Sequence, residues 1–364
     1  MRNTDLTIVG ASYAGLSCAR TAAAHGLDVT ILEAKPEIGY KPHTTGILVE
    51  EASEHLPAIP PHLVRPIKGV RLYSPKLKHF DLFKGEYAFL AADTPGLLKW
   101  MADDVTRDER ITIKTRSKFN GAVKREDRFL VDDFATKFIV GADGARSSVA
   151  KHFNLGENRH FLIGMEMEFQ GTDYFDERFM HVFVDSELAP GYIAWAVPGV
   201  GITQVGLACK HPNHLAIEQL LAKIKPIADL TQIKPLERRG GLIPAGGVVG
   251  KLGTDNVMLV GDAAGTVSPL TAGGIHKALE LGALSGHAIA EYLQRNGEQP
   301  YAAIARQAPK YYAKRHLRSI ANLGVPNAIT ETVFNNGWFR KFAQLIFFHH
   351  RGLLSADAWK DLTK

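Results

Sequence analysis

Cysteine is nearly missing from this chain: Cys18 and Cys209 are the only two in 364 residues. Neither belongs to a C-x-x-C pair, which excludes a disulfide framework and a thiolate metal site. Two reduced thiols in a cytoplasmic protein are expected. No cluster reads as a metal site. Long apolar runs are also missing. The longest near the C-terminus, Leu345 to Phe348, is far too short to span a bilayer. No basic stripe is interleaved with aromatics, so no nucleic-acid partner is expected. A strand-like run begins almost at residue 1, so no signal peptide is expected. Repeats and low-complexity tracts are absent. The rest is ordinary: 45% hydrophobic and 22% charged residues, enough chain for a large core and two intimately joined domains. The net charge of +5 permits attraction to an anionic membrane or substrate and requires neither.

The most informative stretch is Asp5 to Glu33. Leu6-Thr7-Ile8-Val9 reads as a buried strand. Gly10-Ala11-Ser12-Tyr13-Ala14-Gly15 follows, then an Ala- and Leu-rich helix from Leu16 to His25, ended by Gly26. Val29 to Glu33 is a second strand. In this βαβ unit Gly10 allows the tight turn and Gly15 lets the helix pack closely on the sheet. The helix N-terminus offers N–H groups to a pyrophosphate. Ser12 stands where a middle glycine is usual and is small enough for backbone approach. The Glu33 carboxylate suits the two hydroxyls of an adenosine ribose and would repel a 2′-phosphate, favouring FAD or NAD over NADP.

Further along, Thr44, Thr45 and Gly46 lie in a polar loop that either reaches a cofactor or runs over the surface. Prolines 57, 60, 61 and 66 forbid long regular structure. Val70 to Tyr73 and Leu77 to Phe83 alternate as a hairpin, and Asp93-Thr94-Pro95 starts a helix. Ile111 to Ile113 is a strand, Ala122 to Lys124 pairs with Arg128 to Val131, and Phe138 to Val140 runs into Gly141-Ala142-Asp143-Gly144. Strands at Ile163 to Phe169, Arg178 to Val184, Gly191 to Val197 and Ile202 to Ala208 predict an antiparallel sheet. A helix from His214 to Ile224 follows. Asn256 to Val260 is a buried strand ending in Gly261-Asp262-Ala263-Ala264. Ile275 to Gln294 is a long helix, and two more are expected near Tyr301 to Asn322 and Ala328 to His349.

Gly10-x-Ser12-x-x-Gly15 with Glu33, then Gly141-Ala142-Asp143-Gly144, then Gly261-Asp262-Ala263-Ala264 come in the order seen in the p-hydroxybenzoate hydroxylase-like FAD flavoproteins, which the chain resembles. The resemblance implies an α/β fold. A Rossmann-like FAD-binding domain would comprise residues 1–155 and 240–300, with an inserted antiparallel-sheet substrate domain at 60–95 and 156–239 and a helical C-terminus at 301–364. It implies non-covalent FAD held by Gly10, Ser12, Tyr13, Ala14, Gly15, Glu33, Ala34 and Lys35, with Thr44 and Thr45 near it. Asp262 would bond the ribityl chain. Gly273, Gly274 and Ile275, opening the long helix, would turn N–H groups to the flavin pyrimidine edge. Asp143 either serves the cofactor or braces its strand end. The backbone of Val123 would touch the adenine.

Within that superfamily, Gly261 to Ile275 is most similar to the geranylgeranyl reductase family. Aromatic hydroxylases usually carry a histidine where Gly265 stands. Gly191 to Pro198 resembles the reductases' Tyr-x-Trp-x-Phe-Pro substrate motif, which makes Tyr192, Trp195 and Pro198 candidate substrate residues. The chain departs from the family in several places. Thr44 or Thr45 replaces a cysteine near the flavin, an extra residue separates Tyr192 from Trp195, Val197 replaces phenylalanine, and the helix at Thr94 lacks an arginine.

The resemblance implies a flavoenzyme reducing carbon–carbon double bonds of an isoprenoid or similar apolar substrate. The alternatives are a monooxygenase or halogenase, and a non-catalytic electron-transfer or lipid-binding flavoprotein. Without a second nucleotide motif, NAD(P)H would bind transiently or a protein would donate electrons. His43 is a candidate proton donor, and no catalytic residue is assigned. Trp338, Phe342, Leu345 and Ile346, widened by Phe339, share one face of the last helix, with Arg340, Lys341 and Arg351 beside it. That face either packs on the body or lies in a membrane interface, making the protein cytoplasmic or peripheral on the inner membrane face. Oligomeric state is not encoded legibly.

Overall fold

A computed structural model describes residues 2–295 and 297–348. The first sheet grows around β1 (Arg2–Val9), whose last residues are buried. β1 pairs in parallel with β2 (Val29–Leu32) and β11 (Phe134–Gly141). β8 (Ile111–Lys114) extends it in parallel beyond β2, and β18 (Val257–Leu259) does so beyond β11. β17 (Gly253–Thr254) closes that edge antiparallel. β9 (Val123–Arg125) and β10 (Arg128–Val131) form a hairpin on β11. Burial on both faces explains the apolar runs of the central strands β1, β2, β11 and β18.

Helix α1 (Tyr13–Ala24) packs against the long helix α6 (Ile275–Arg295), and residues of both helices share one core with Leu6, Ile8, Phe138 and Val140 of this sheet. Small residues set their spacing. A Cβ on Gly282 would sit 2.5 Å from the Ala14 carbonyl oxygen, and one on Gly286 would sit 2.4 Å from that of Cys18. Ser17 Oγ donates to the Leu279 carbonyl at 2.7 Å across the same contact. The interface holds the first-motif helix against the helix that opens at Gly273 and Gly274.

The second sheet has seven strands in the order β16-β12-β15-β14-β13-β5-β6. They are β5 (Gly69–Tyr73), β6 (His79–Leu82), β12 (Phe161–Gln170), β13 (Phe179–Phe183), β14 (Ala194–Pro198), β15 (Ile202–Lys210) and β16 (Glu237–Pro244). The sheet is mixed rather than purely antiparallel: β13 runs parallel to β5. Those two strands are far apart in sequence, so no hairpin dictates their direction. The expected boundary at 239/240 falls inside β16. Helix α5 (Ile217–Ile224) buries Ile217, Leu220, Leu221 and Ile224 against one face, beside Ala194, Ala196, Val205 and Leu207. The other face looks into the molecule's large cavity. β3 (Ile47–Leu48), β4 (Val64–Ile67) and β7 (Phe89–Ala92) make a small third sheet, and α2 (Glu50–Ser53) follows β3. α3 (Thr94–Val105) begins as expected, with Asp93 accepting from the Gly96 N–H at 3.1 Å. α4 (Ser148–His152) follows the Asp143 turn.

Among the described residues of the C-terminal region there are four helices where two were expected: α7 (Pro300–Gln307), α8 (Tyr312–Ala321), α9 (Asn327–Val333) and α10 (Gly337–Phe348). Pro309 breaks the first expected helix. The second is interrupted before Gly337, where Asn336 accepts from the Trp338 N–H at 2.9 Å. The expected single apolar face of the last helix is divided. Ala343, Leu345 and Phe348 are buried and Phe339 packs on Phe80 and Phe334, whereas Trp338 is 72% and Phe342 41% exposed. His349 and Arg351 lie outside the described residues. No described helix is long and apolar enough to cross a membrane.

Candidate active site

One cavity of about 1510 Å³ runs from the glycine turn after β1 to the inner face of the seven-stranded sheet. It exceeds the usual size of a single small-ligand pocket, leaving room for a dinucleotide and a second molecule. Gly10 sits at φ +105°, and a Cβ there would lie 2.3 Å from the Ala142 carbonyl oxygen. Only glycine fits that corner. Ser12, the residue before α1, makes no side-chain cap, so the first-turn N–H groups of α1 remain available. Gly10, Ser12, Tyr13 and Ala14 line the cavity. Gly15 does not. It is buried against the Gly10 carbonyl, where a Cβ would lie 2.0 Å away, so it serves packing rather than contact with a ligand.

Glu33, Ala34 and Lys35 line the next stretch. The Glu33 carboxylate accepts from the Ala11 N–H at 2.9 Å and the Lys35 N–H at 2.8 Å, which fixes it beside the glycine turn. Segment 116–117 is tied to the same strand end, with Ser117 N–H donating to the Glu33 carbonyl at 2.8 Å. Ser117, Lys118 and Phe119 therefore line the cavity there. Val123 does not: it lies on β9, 60% exposed, because the chain has already turned into the outer hairpin. Asp143 lines the cavity, but its carboxylate is fully engaged. It accepts from Ser147 Oγ at 2.6 Å and from the Ser148 N–H and Oγ, each at 2.7 Å. These bonds brace its turn, one of the two roles expected for it.

Asp262 differs. Its carboxylate hydrogen-bonds to no described residue, and burial pushes its pKa up to about 6. A desolvated acid lining a cavity without a protein donor is suited to ligand hydroxyls. Gly261 Cα lies close to α1, with a Cβ reaching 2.9 Å from that of Ala14. Gly273, Gly274 and Ile275 line the cavity where α6 begins. The glycine corner, the open helix N-terminus, fixed Glu33 and unpartnered Asp262 together match the donors and acceptors of FAD.

The opposite wall is the sheet. Tyr192 and Trp195 line it. Tyr192 donates to the Thr271 carbonyl at 2.5 Å, and burial raises its phenol to about 12. Arg318 of α8 stacks over that ring at 5.1 Å and donates to the carbonyls of Gly191, Pro269 (2.6 Å) and Leu270 (2.8 Å), binding the two loops together. Pro198 does not reach the cavity. On a strand whose side chains alternate, Trp195 and Val197 face inward, which sends Pro198 to the other face.

Sequence reasoning missed the polar centre of this wall. Buried Glu166 accepts from Thr45 Oγ1 at 2.7 Å and Trp195 Nε1 at 2.8 Å on one oxygen, and from Arg239 Nη2 at 2.6 Å on the other. Arg239 also pairs with Glu168 at 2.8 Å. The available signal was Glu166 and Glu168 on one face of a strand too apolar to be a surface strand. Thr44 and Thr45 both line the cavity, so their loop is not a plain surface loop. His43 lies 2.7 Å through Nδ1 from the Gly240 carbonyl, so Nδ1 carries the proton. Burial and the charges of Lys35 and Arg239 depress its pKa, outweighing the raising effect of that hydrogen bond. A neutral ring whose N–H is committed offers the cavity an acceptor, which argues against His43 as the proton donor.

Residues 8–59 match the family model of an NAD(P)-binding Rossmann-like domain. The chain is 30% identical over 342 residues to digeranylgeranylglycerophospholipid reductase 2 of Methanosphaera stadtmanae, covering 86% of each chain. Among solved structures it is similar to a geranylgeranyl bacteriochlorophyll reductase-like protein from Thermoplasma acidophilum, with TM-score 0.82, 20% identity and coverage of 92% of this chain and 91% of that one. A probable FAD-dependent monooxygenase from Pseudomonas aeruginosa is more distant, with TM-score 0.70, 16% identity and coverage of 92% and 100%.

Proposed function

This chain belongs to the geranylgeranyl reductase family of FAD-dependent oxidoreductases, and from that premise we propose that it reduces carbon–carbon double bonds of an isoprenoid chain lying between the cofactor corner and the sheet. The observation that carries this reading is the continuity of one cavity. It joins Gly10 and Asp262 at one end to Met180, Val182, Ile193 and Val197 at the other.

FAD, when bound, supplies the hydride. The chain's own residues do the rest. The α1 N-terminus and Gly10 receive the pyrophosphate, Glu33 the adenosine ribose and Asp262 the ribityl hydroxyls. Gly273, Gly274 and Ile275 at the start of α6 line the cavity and would offer N–H groups and a positive dipole end to the bound flavin. The inner sheet face excludes water and holds an extended apolar chain. Gly265 speaks against hydroxylase chemistry. It sits at φ +69°, and a Cβ there would lie 2.4 Å from the Gly247 carbonyl oxygen, so no histidine fits. Anaerobic protein reduced with dithionite should add two hydrogens per double bond to a polyprenyl substrate, as read by mass spectrometry. Substrate-dependent oxygen uptake with incorporation of oxygen into product would overturn the reading.

Access for such a substrate is at a membrane surface. Tyr312, Ile320, Leu323, Val325, Ile329, Val333, Trp338 and Phe342 are all exposed along α8 to α10. Exposed Lys310, Arg315 and Arg340 stand on the same stretch of chain, and Ile346 and Phe347 line the cavity. An apolar surface of this kind, bordered by cations, suits an anionic bilayer. The protein should co-sediment with vesicles containing anionic lipid, and Trp338→Ala with Leu323→Ala should reduce the bound fraction without lowering the melting temperature. Equal pelleting of wild type and variant removes this surface from consideration.

A further inference from the structure

Four strands place Arg239, Glu166, Gly206 and Trp195 side by side in one row across the sheet: Arg239 opposite Glu166, Glu166 opposite Gly206, and Gly206 opposite Trp195. The row lies on the cavity face. Gly206 has no side chain, and the Trp195 indole occupies its place: a Cβ on Gly206 would lie 2.7 Å from Cε2 and Cζ2 of that ring. Lying flat across β15, the indole brings Nε1 to within 2.8 Å of Glu166 Oε2. The same oxygen accepts from Thr45 Oγ1 at 2.7 Å. Thr45 belongs to the loop that follows the cofactor-side turn, not to the sheet.

We infer that Glu166 is a positioning residue which locks the substrate-facing Trp195 and the cofactor-side Thr45 to one carboxylate oxygen, with Gly206 as the gap that makes the lock possible. Arg239 occupies the other carboxylate oxygen through Nε at 3.1 Å and Nη2 at 2.6 Å, leaving Oε2 to these two donors. Because Thr45 spends its proton on Glu166, its hydroxyl shows the cavity only lone pairs. It therefore orients rather than donates. A free indole would rotate on two side-chain torsions, and the apolar slot for the substrate would lose its shape. The lock thus fixes the distance between the two walls that grip an extended chain. This inference rests on the proposed use of the cavity by an isoprenoid.

The test is a set of variants measured on full-length, FAD-loaded protein. Thr45→Val and Trp195→Phe each remove one donor and should raise KM for the polyprenyl substrate about tenfold, the worth of one hydrogen bond to a charged group. The rise in KM should exceed the loss in kcat. Thr45→Ser keeps the hydroxyl and should restore KM. The double variant should be less impaired than the product of the singles, since both donors serve one oxygen. Gly206→Ala should act like Trp195→Phe. It is the variant most exposed to misfolding, so the Thr45 series stands without it. Unchanged KM in Thr45→Val, failure of Thr45→Ser to restore it, or strictly multiplicative effects would each overturn the lock. Absence of any turnover by wild type would instead defeat the proposed function. The same variants followed by thermal melting then decide the lock alone, with coupling expected between Thr45→Val and Trp195→Phe.

Discussion

Arg239→Met should destabilise the protein by about 3–5 kcal/mol, the usual penalty for removing one partner from a buried ion pair. Arg239 and Glu166 are buried, with side-chain exposures of 4% and 6%, and Glu168 is only slightly more accessible. Without the guanidinium, two carboxylates two residues apart on one strand face each other with no cation between them. The sign of the pH dependence follows from Glu168. Burial raises its pKa, Arg239 opposes that rise and Glu166 adds to it. Deleting Arg239 removes the main opposing effect, so the folded-state pKa climbs further above the unfolded value. A carboxyl raised in this way destabilises the fold when ionised and stops doing so once protonated. The loss should therefore be largest near pH 8 and shrink as pH falls through the raised pKa. Arg239→Lys keeps the charge but cannot fork between the two acids, so an intermediate loss is expected. Equilibrium denaturation of both variants at several pH values measures this. A loss that is small, or equal at pH 8 and pH 5, would mean that the two acids are served by something other than Arg239.

What the sequence made legible, and what it hid, follows from how local each requirement is. The positive φ angles at Gly10 and Gly265 are demands of a few consecutive backbone units, and they are written in the residues themselves. The Asp93 start of α3 is local in the same way. The row of Arg239, Glu166, Gly206 and Trp195 is not. Its members are brought together only by the register of four strands, and register is fixed by pairing across the whole sheet. Glu166 alone reads as a polar residue in an apolar strand, and Gly206 alone as a weak point in another. Val123 failed for a related reason. A backbone contact carried over by resemblance depends on where the chain turns, and here it turns early, so that Ser117 to Phe119 meet the cavity instead. Pro309 marks in the sequence the break between α7 and α8, the first of those that divide the described C-terminal residues into four helices.

Asp262→Ala should weaken FAD binding roughly 10- to 100-fold, since it deletes an ionic acceptor for neutral hydroxyl donors. The wild-type pH profile is the sharper test. Burial alone holds Asp262 at about 6, and no described residue offers it a hydrogen bond. Ligand hydroxyls donate to the ionised carboxylate and favour that form. Affinity should therefore be full above about pH 6 and decline as the carboxylate takes up its proton below it. Asp262→Asn cannot ionise and should show weak affinity without this slope. In the absence of FAD the sign reverses. The ionised, desolvated carboxylate burdens the fold above pH 6, so the apo form of Asp262→Asn should be more stable than wild-type apoprotein at pH 8 and closer to it at pH 5. Fluorescence titration with FAD and melting of the apoproteins read the two effects separately. A flat wild-type affinity between pH 5 and pH 8 would show that the carboxylate does not face the ribityl chain. An Asp262→Ala variant that keeps its FAD would remove the residue from the site, while leaving the glycine corner and Glu33 as its determinants.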